Sequence, residues 1–142
     1  MNGKVIPVES LAPAVQARIA RALAVPPTYR TSDGRVVART RVVIGGRESP
    51  TNAAGAAAEE GRDTPYDTQV MGCLERIEAQ EGWRLVAPPF LAEVSRSELW
   101  ERYDLDETRE WMRTGRADVI LYHATERLAV GDRLAYVLVE VE

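Results

Sequence analysis

Ala117–Ala124 (ADVILYHA) and Leu134–Val141 (LAYVLVEV) carry the densest strand signal in the chain and decide its fold. β-Branched and aromatic residues dominate both runs, and a polar segment containing Gly131 and Asp132 separates them. Such runs favour extended backbone, and a polar segment with glycine favours a chain reversal. The pattern therefore predicts a β-hairpin whose second strand turns one face to a core and the other to solvent or a partner.

A second hairpin is predicted nearer the start of the chain. Thr28–Thr31 and Arg35–Ile44 are β-prone runs, and the turn-forming tripeptide SDG lies between them. Because side chains alternate along a strand, Arg35, Arg39 and Arg41 share the face opposite to a set of apolar residues. This arginine face is either solvated or meets an acidic surface, so we treat the three arginines as candidate binding residues.

Helical periodicity accounts for much of the remaining chain. Val8–Val25 has apolar residues at helical spacing, with Ser10 as its N-cap and Pro26 after its end. The next helix is predicted to start at Thr64, with Asp67 as a capping-box partner, and to stop before the glycine at position 82.

Shorter patterns complete the domain. They predict a strand at Trp83–Ala87 and helices that begin near Ser95 and Asp104. The chain shows neither an internal repeat nor a strong linker. We therefore predict one α+β domain over residues 1–142, with a mainly antiparallel sheet from the two hairpins packed with three to four helices.

The segment Gly45–Asp63 has two interpretations. Ser49 and Pro50 are suited to the start of a helix, with Gly61 just past its end. Alternatively, its many small side chains bury too little surface to order by themselves, which predicts a flexible arm or lid that orders against a neighbour. We favour the second interpretation.

Composition narrows the class of protein. The 142 residues carry a net charge of −4, and Lys4 is the one lysine among 18 basic residues. An acidic balance argues against nucleic-acid binding through phosphate neutralisation, and no apolar run is long enough to cross a membrane. Residues 1–7 do not resemble a secretory signal, so we expect a cytoplasmic protein, or a virion component if the source is viral. One cysteine excludes an internal disulfide and a cysteine-rich zinc site.

Few residues suggest chemistry. His123 is the only histidine and a weak candidate for a general base, but a strand histidine is more often satisfied by its neighbours. Gly45, Gly46 and Arg47 follow a predicted strand and are candidates for an anion-binding loop, although they match no phosphate-binding motif. Cys73 lies on an apolar helix face and is interpreted as a buried thiol.

The remaining clusters have structural explanations. Acidic residues between Asp104 and Glu110 fit the first turns of a helix rather than a metal site. The aromatic residues Trp100, Tyr103 and Trp111 are more typical of core packing than of a ligand cage. We predict no metal and no cofactor.

Three functions stay open at this stage. The favoured one is a non-catalytic interaction or assembly subunit that contacts other protein chains, as a homo-oligomer or in a larger complex. Connector and tail proteins of phage virions are an architectural analogy for such a chain. The alternatives are a small-molecule enzyme that uses His123 or the Gly45–Gly46 loop, and an acidic regulator of a larger machine.

Overall fold

The computed structural model describes residues 4–48, 65–93, 103–123 and 137–140. Three α-helices and eight strands lie in these ranges. The helices are α1 (Pro13–Leu23), α2 (Pro65–Glu78) and α3 (Tyr103–Arg113). The strands are β1 (Lys4–Ile6), β2 (Thr28–Arg30), β3 (Val36–Ala38), β4 (Thr40–Glu48), β5 (Trp83–Leu85), β6 (Phe90–Glu93), β7 (Val119–Tyr122) and β8 (Val137–Glu140).

Strand β4 is the centre of a six-stranded sheet, in which five strands have the order β1-β6-β4-β7-β8 and the sixth, β5, also pairs with β4. It pairs in parallel with β5 and β6, which follow one another along one side, and with β7 on the other. The outer strands β1 and β8 are antiparallel to their neighbours. The α+β class is confirmed, and the sheet is mixed rather than mainly antiparallel as predicted. Helices α2 and α3 connect strands that run in the same direction, a topology that local sequence patterns do not encode.

Alternate residues of β4 enter two different cores. Val42 and Ile44 pack in one cluster with α1 and α2, whereas Val43 packs on the opposite face with Met112 of α3. The sheet therefore has helices on both faces. This explains why three consecutive apolar residues of β4 are fully buried, since a sheet covered on both sides buries every position of its central strand.

Helix α1 begins later than predicted. Ser10 lies in a single 3-10 turn and its hydroxyl donates to the carbonyl of Pro7, so it does not cap the helix. The helix starts at Pro13, and the N–H of Ala12 donates to the Asp67 carboxylate at 2.8 Å. Asp67 thereby joins the start of α1 to the first turn of α2.

Both predicted hairpins form. The final one is the antiparallel pair β7–β8, in which Val119 lies opposite Glu140. The earlier one is the separate two-stranded sheet β2–β3, with Gly34 in its turn at φ 88°. The predicted arm Arg35–Ile44 divides at Arg39, because β3 ends at Ala38 and β4, which enters the main sheet, begins at Thr40.

The segment Gly45–Asp63 was predicted as an arm or lid. Residues 45–48 instead complete β4, and the rest lies outside the described residues. The predicted caps at Thr64 and Ser95, Trp100, and the loop of the final hairpin also lie outside them.

Candidate functional site

Arg41 forms an internal clamp at the start of β4. Its Nη2 and Nε lie 2.8 Å and 3.0 Å from the two oxygens of Asp118, and its Nη1 donates to the carbonyl of Gly115. The backbone N–H of Arg41 donates to the same carboxylate at 2.8 Å. This hydrogen bonding lowers the pKa of Asp118 and raises that of Arg41. Arg41 therefore joins β4 to the turn before β7.

Arg39 fixes the base of the β2–β3 hairpin. Its guanidinium donates to the carbonyls of Pro26, Thr28 and Glu81 at 2.9 to 3.1 Å, and lies 5.0 Å from the ring centre of Tyr29. These contacts join the hairpin to the turn that follows α2. Arg39 is thus a structural residue of the hairpin base, and its predicted role in binding stays untested.

Arg35 lies in the hairpin turn, apart from Arg39 and Arg41. Its Nε donates to the Asp33 carboxylate at 2.9 Å, and both side chains are exposed. The three arginines predicted to share one strand face are therefore distributed over a turn, a strand junction and a clamp. Arg35 is the one of the three that is exposed to solvent.

Gly45 and Gly46 lie inside β4 and not in a loop, which corrects their predicted position. A Cβ atom on Gly45 would overlap the ring of Tyr122, with Cε1 only 2.7 Å away. One on Gly46 would lie 2.8 Å from Leu91 and 2.9 Å from Gln69. The two glycines are needed because neighbouring side chains contact the strand backbone.

Gln69 of α2 forms hydrogen bonds with the end of β4. Its amide accepts from the N–H of Arg47 and donates to the carbonyl of the same residue. Its nitrogen also donates to the carboxylate of Glu48 at 2.7 Å, and Glu48 is only 5% exposed. A buried carboxylate requires such partners, so Gln69 holds Glu48 in place.

The carboxyl ends of the parallel strands collect further polar groups. The hydroxyl of Tyr122 donates to buried Asp104 at 2.5 Å, and that of Tyr66 donates to the carbonyl of Ala92 at 2.8 Å. Burial, followed by the charges of Glu93 and Glu48, raises the pKa of Tyr66. In open parallel sheets ligands bind at this edge, which makes it a candidate position for a small-molecule site here.

His123 lies at the same edge, directly after β7. It is half-buried, and its ring packs on the backbone of Gly72, where a Cβ would lie 2.7 Å from Nε2. Cys73 is fully buried and its Sγ lies 3.9 Å from the carbonyl of Leu121. Burial raises the pKa of the Cys73 thiol, so it is a structural thiol rather than a nucleophile.

No family model, curated protein or solved structure matches this chain. Within the described ranges, three or more metal-ligating side chains do not come together, and no helix is long and apolar enough to span a membrane.

A groove of about 270 Å³ lies at the opposite edge, where the parallel strands begin. Its apolar lining comes from the ends of α1 and α2 and from Trp83, and its polar lining includes Glu78, Glu81 and Arg39. Glu78 is bound by Arg18, and Arg39 by the carbonyls of the hairpin base. The groove and the base of the hairpin are adjacent, since Tyr29 contacts Gly82.

The hairpin exposes one complete face. Tyr29 and Val37 form a cross-strand pair on the half-buried face, whereas Arg30 and Val36 form a pair on the exposed face. Val36 is 60% exposed, the highest value for a large apolar side chain among the described residues, and Val5 of β1 follows at 49%. Strand alternation in the sequence does not indicate that Val36 is exposed.

Of the three aromatic residues predicted to pack in the core, Tyr103 and Trp111 are among the described residues and Trp100 is not. Phe90 packs against Tyr103 and Trp111, with ring centres 6.3 Å and 6.2 Å apart. The guanidinium of Arg116 lies 4.3 Å from the ring centre of Trp111. These contacts join α3 to β6 and to the turn before β7, which fits a structural role.

Proposed function

We propose that the protein is a non-catalytic interaction subunit of a larger protein assembly, and that the β2–β3 hairpin belongs to its contact surface. The observation that carries the proposal is the exposed face of this hairpin, where Val36 lies beside Arg30. An isolated two-stranded hairpin is marginal in water, and a partner that covers one face or adds a strand stabilises it.

The way in which the hairpin is held supports the same role. Arg39 makes three hydrogen bonds to backbone carbonyls at its base, so the strands project from a fixed point. A contact element that is already ordered loses less conformational entropy on binding. Ring-forming virion proteins are one setting for such a subunit, and this assignment stays a hypothesis of architecture.

Site-specific crosslinking tests the proposal. A photoreactive amino acid replaces Val36 in the complete chain, which is expressed together with its genomic neighbours. Arg109, on the exposed side of α3, receives the same residue as a matched control. We expect protein adducts from position 36 that are absent from position 109. Equal adducts at the two positions would contradict the proposal.

The carboxyl edge of the sheet supports a second candidate, a small-molecule enzyme. Buried Glu48 and Asp104 lie at this edge with His123, and carboxylate and imidazole groups are the usual general acids and bases of enzymes. His123→Ala and Glu48→Gln test it, since loss of metabolite binding in both variants at unchanged folding would favour the enzyme. A thermal-shift screen that finds no metabolite for the wild-type protein would remove its support.

A further inference from the structure

We infer that the partner of the hairpin is a second copy of this chain, and that Val36 of one copy enters the groove between the ends of α1 and α2 of the next. This inference rests on the proposed function and names the partner and both contact surfaces. Its starting point is that one chain carries an exposed apolar side chain, Val36, here called the knob. Elsewhere the same chain has an apolar groove without a described occupant.

The groove has the size and lining for such a knob. Its volume of about 270 Å³ equals that of about nine waters, which is room for an aliphatic side chain and the stem of a neighbouring arginine. Val25, Ile77 and Trp83 supply apolar contacts. Burial of an apolar side chain among these residues is the main source of affinity.

The charges of the two surfaces are complementary. Glu78 and Glu81 line the groove, and the last turns of α1 and α2 lie beside it with the negative ends of their dipoles. Arg39 is the cation of the lining, and three carbonyls already accept from it. The hairpin carries Arg30 and Arg35 on either side of its turn. Because Arg35 is already paired with Asp33, and Glu78 of the groove with Arg18, the attraction across the contact is mainly between Arg30 and Glu81.

Geometry prevents a chain from filling its own groove. Tyr29 on the inner face of the hairpin packs at Gly82, close to the groove, with its hydroxyl 3.1 Å from a Cβ position there. Val36 is on the outer face, because its cross-strand partner is Arg30 and not Tyr29. The knob therefore points away from the groove of its own chain.

Edge-to-edge pairing of the hairpin is a weaker alternative for the contact between two copies. Pairing of β3 with β3 of a second copy, centred on Val37, would place Arg35 opposite Arg39, and like charges in that position destabilise a sheet.

The knob and groove are different surfaces, so their contact is head-to-tail, and it continues into a ring or an open filament.

Light scattering on the complete chain tests the contact. We expect the mass of the wild-type protein to rise with concentration. Val36→Asp blocks the knob and Val25→Arg blocks the groove, and each variant should be monomeric, with association weakened at least about tenfold. Arg109→Asp, remote from both surfaces, is the matched control and should associate as the wild-type protein does.

Mixing the two blocked variants gives the decisive result. Each keeps one intact surface, so an equimolar mixture should form a dimer and grow no further. Ala38→Asp with Glu81→Arg provides a second pair of exposed positions if a first variant fails to fold by circular dichroism. A mixture that stays monomeric, or a wild-type protein that is monomeric at every concentration, would overturn the head-to-tail contact.

The two proposals fail separately. Crosslinks from position 36 to a different protein would overturn the self-contact and retain the interaction role. Crosslinks that do not depend on position would remove the interaction role itself. Adducts between two copies, through the lining of the groove, would support both.

Discussion

Gly45→Ala is the substitution that tests the centre of the fold. The new methyl group would overlap the ring of Tyr122, which is fully buried and whose hydroxyl donates to Asp104. The ring cannot move into solvent, so either β4 shifts or the ring leaves its hydrogen bond.

The magnitude follows from these two costs. Overpacking of a core costs about 1 to 3 kcal/mol, and weakening a buried hydrogen bond adds about 1 kcal/mol. We therefore expect a loss of about 2 to 4 kcal/mol in the free energy of unfolding. For a chain of this length, that corresponds to a fall in Tm of about 6 to 12 °C.

Urea denaturation followed by circular dichroism measures the loss. Gly82→Ala is the matched control, because its Cβ would meet only the half-buried ring of Tyr29, which can move. The double variant Gly45→Ala/Tyr122→Leu removes the overlap. Its loss in the free energy of unfolding should be smaller than the sum of the two single losses by about 1 kcal/mol or more. A Gly45→Ala protein as stable as the control, or strictly additive losses, would refute the reasoning.

Three further predictions concern titratable groups. The thiol of Cys73 should react with a disulfide reagent only as fast as the protein opens, and rapid reaction in the native state would contradict its burial. The pKa of Asp118 is lowered in the folded protein, so its carboxylate stabilises the fold above the ordinary pKa of 3.8, and this stabilisation is lost as the pH falls through the folded pKa. In Asp118→Asn, the stability measured by urea denaturation should therefore change less with acid. The raised pKa of Tyr66 acts in the opposite direction, since its stabilisation is lost as the pH rises above 10, and Tyr66→Phe should flatten that alkaline loss. An unchanged slope in either variant would count against the assigned cause.

Local patterns predicted the elements better than their arrangement. Alternation identified the final hairpin and the β2–β3 hairpin, and helical spacing identified the helix that contains Tyr66. The parallel pairing of β4 was not predictable from such patterns, because its partner strands begin more than 30 residues further along the chain. Short apolar runs are compatible with either strand direction.

The candidate surfaces were predicted only in part. Arg35, Arg39 and Arg41 form one periodic set in the sequence. In the structure, Arg35 lies in a turn, Arg39 holds the hairpin base and Arg41 forms a clamp with Asp118. Gln69 and Asp104 gave no sequence signal for their buried contacts, since both depend on the position of helices relative to the sheet. Polar side chains are satisfied by tertiary neighbours that no local window contains.

The central position of β4 also constrains how the protein is made. Its 40–48 segment leaves the ribosome well before β5, β6 and β7, the strands that flank it. Until Val119–Tyr122 has been synthesised, the edge of β4 that pairs with β7 has unpaired backbone groups. Nascent chains are therefore vulnerable to aggregation during that interval, and slow translation between β4 and β7 would lengthen it.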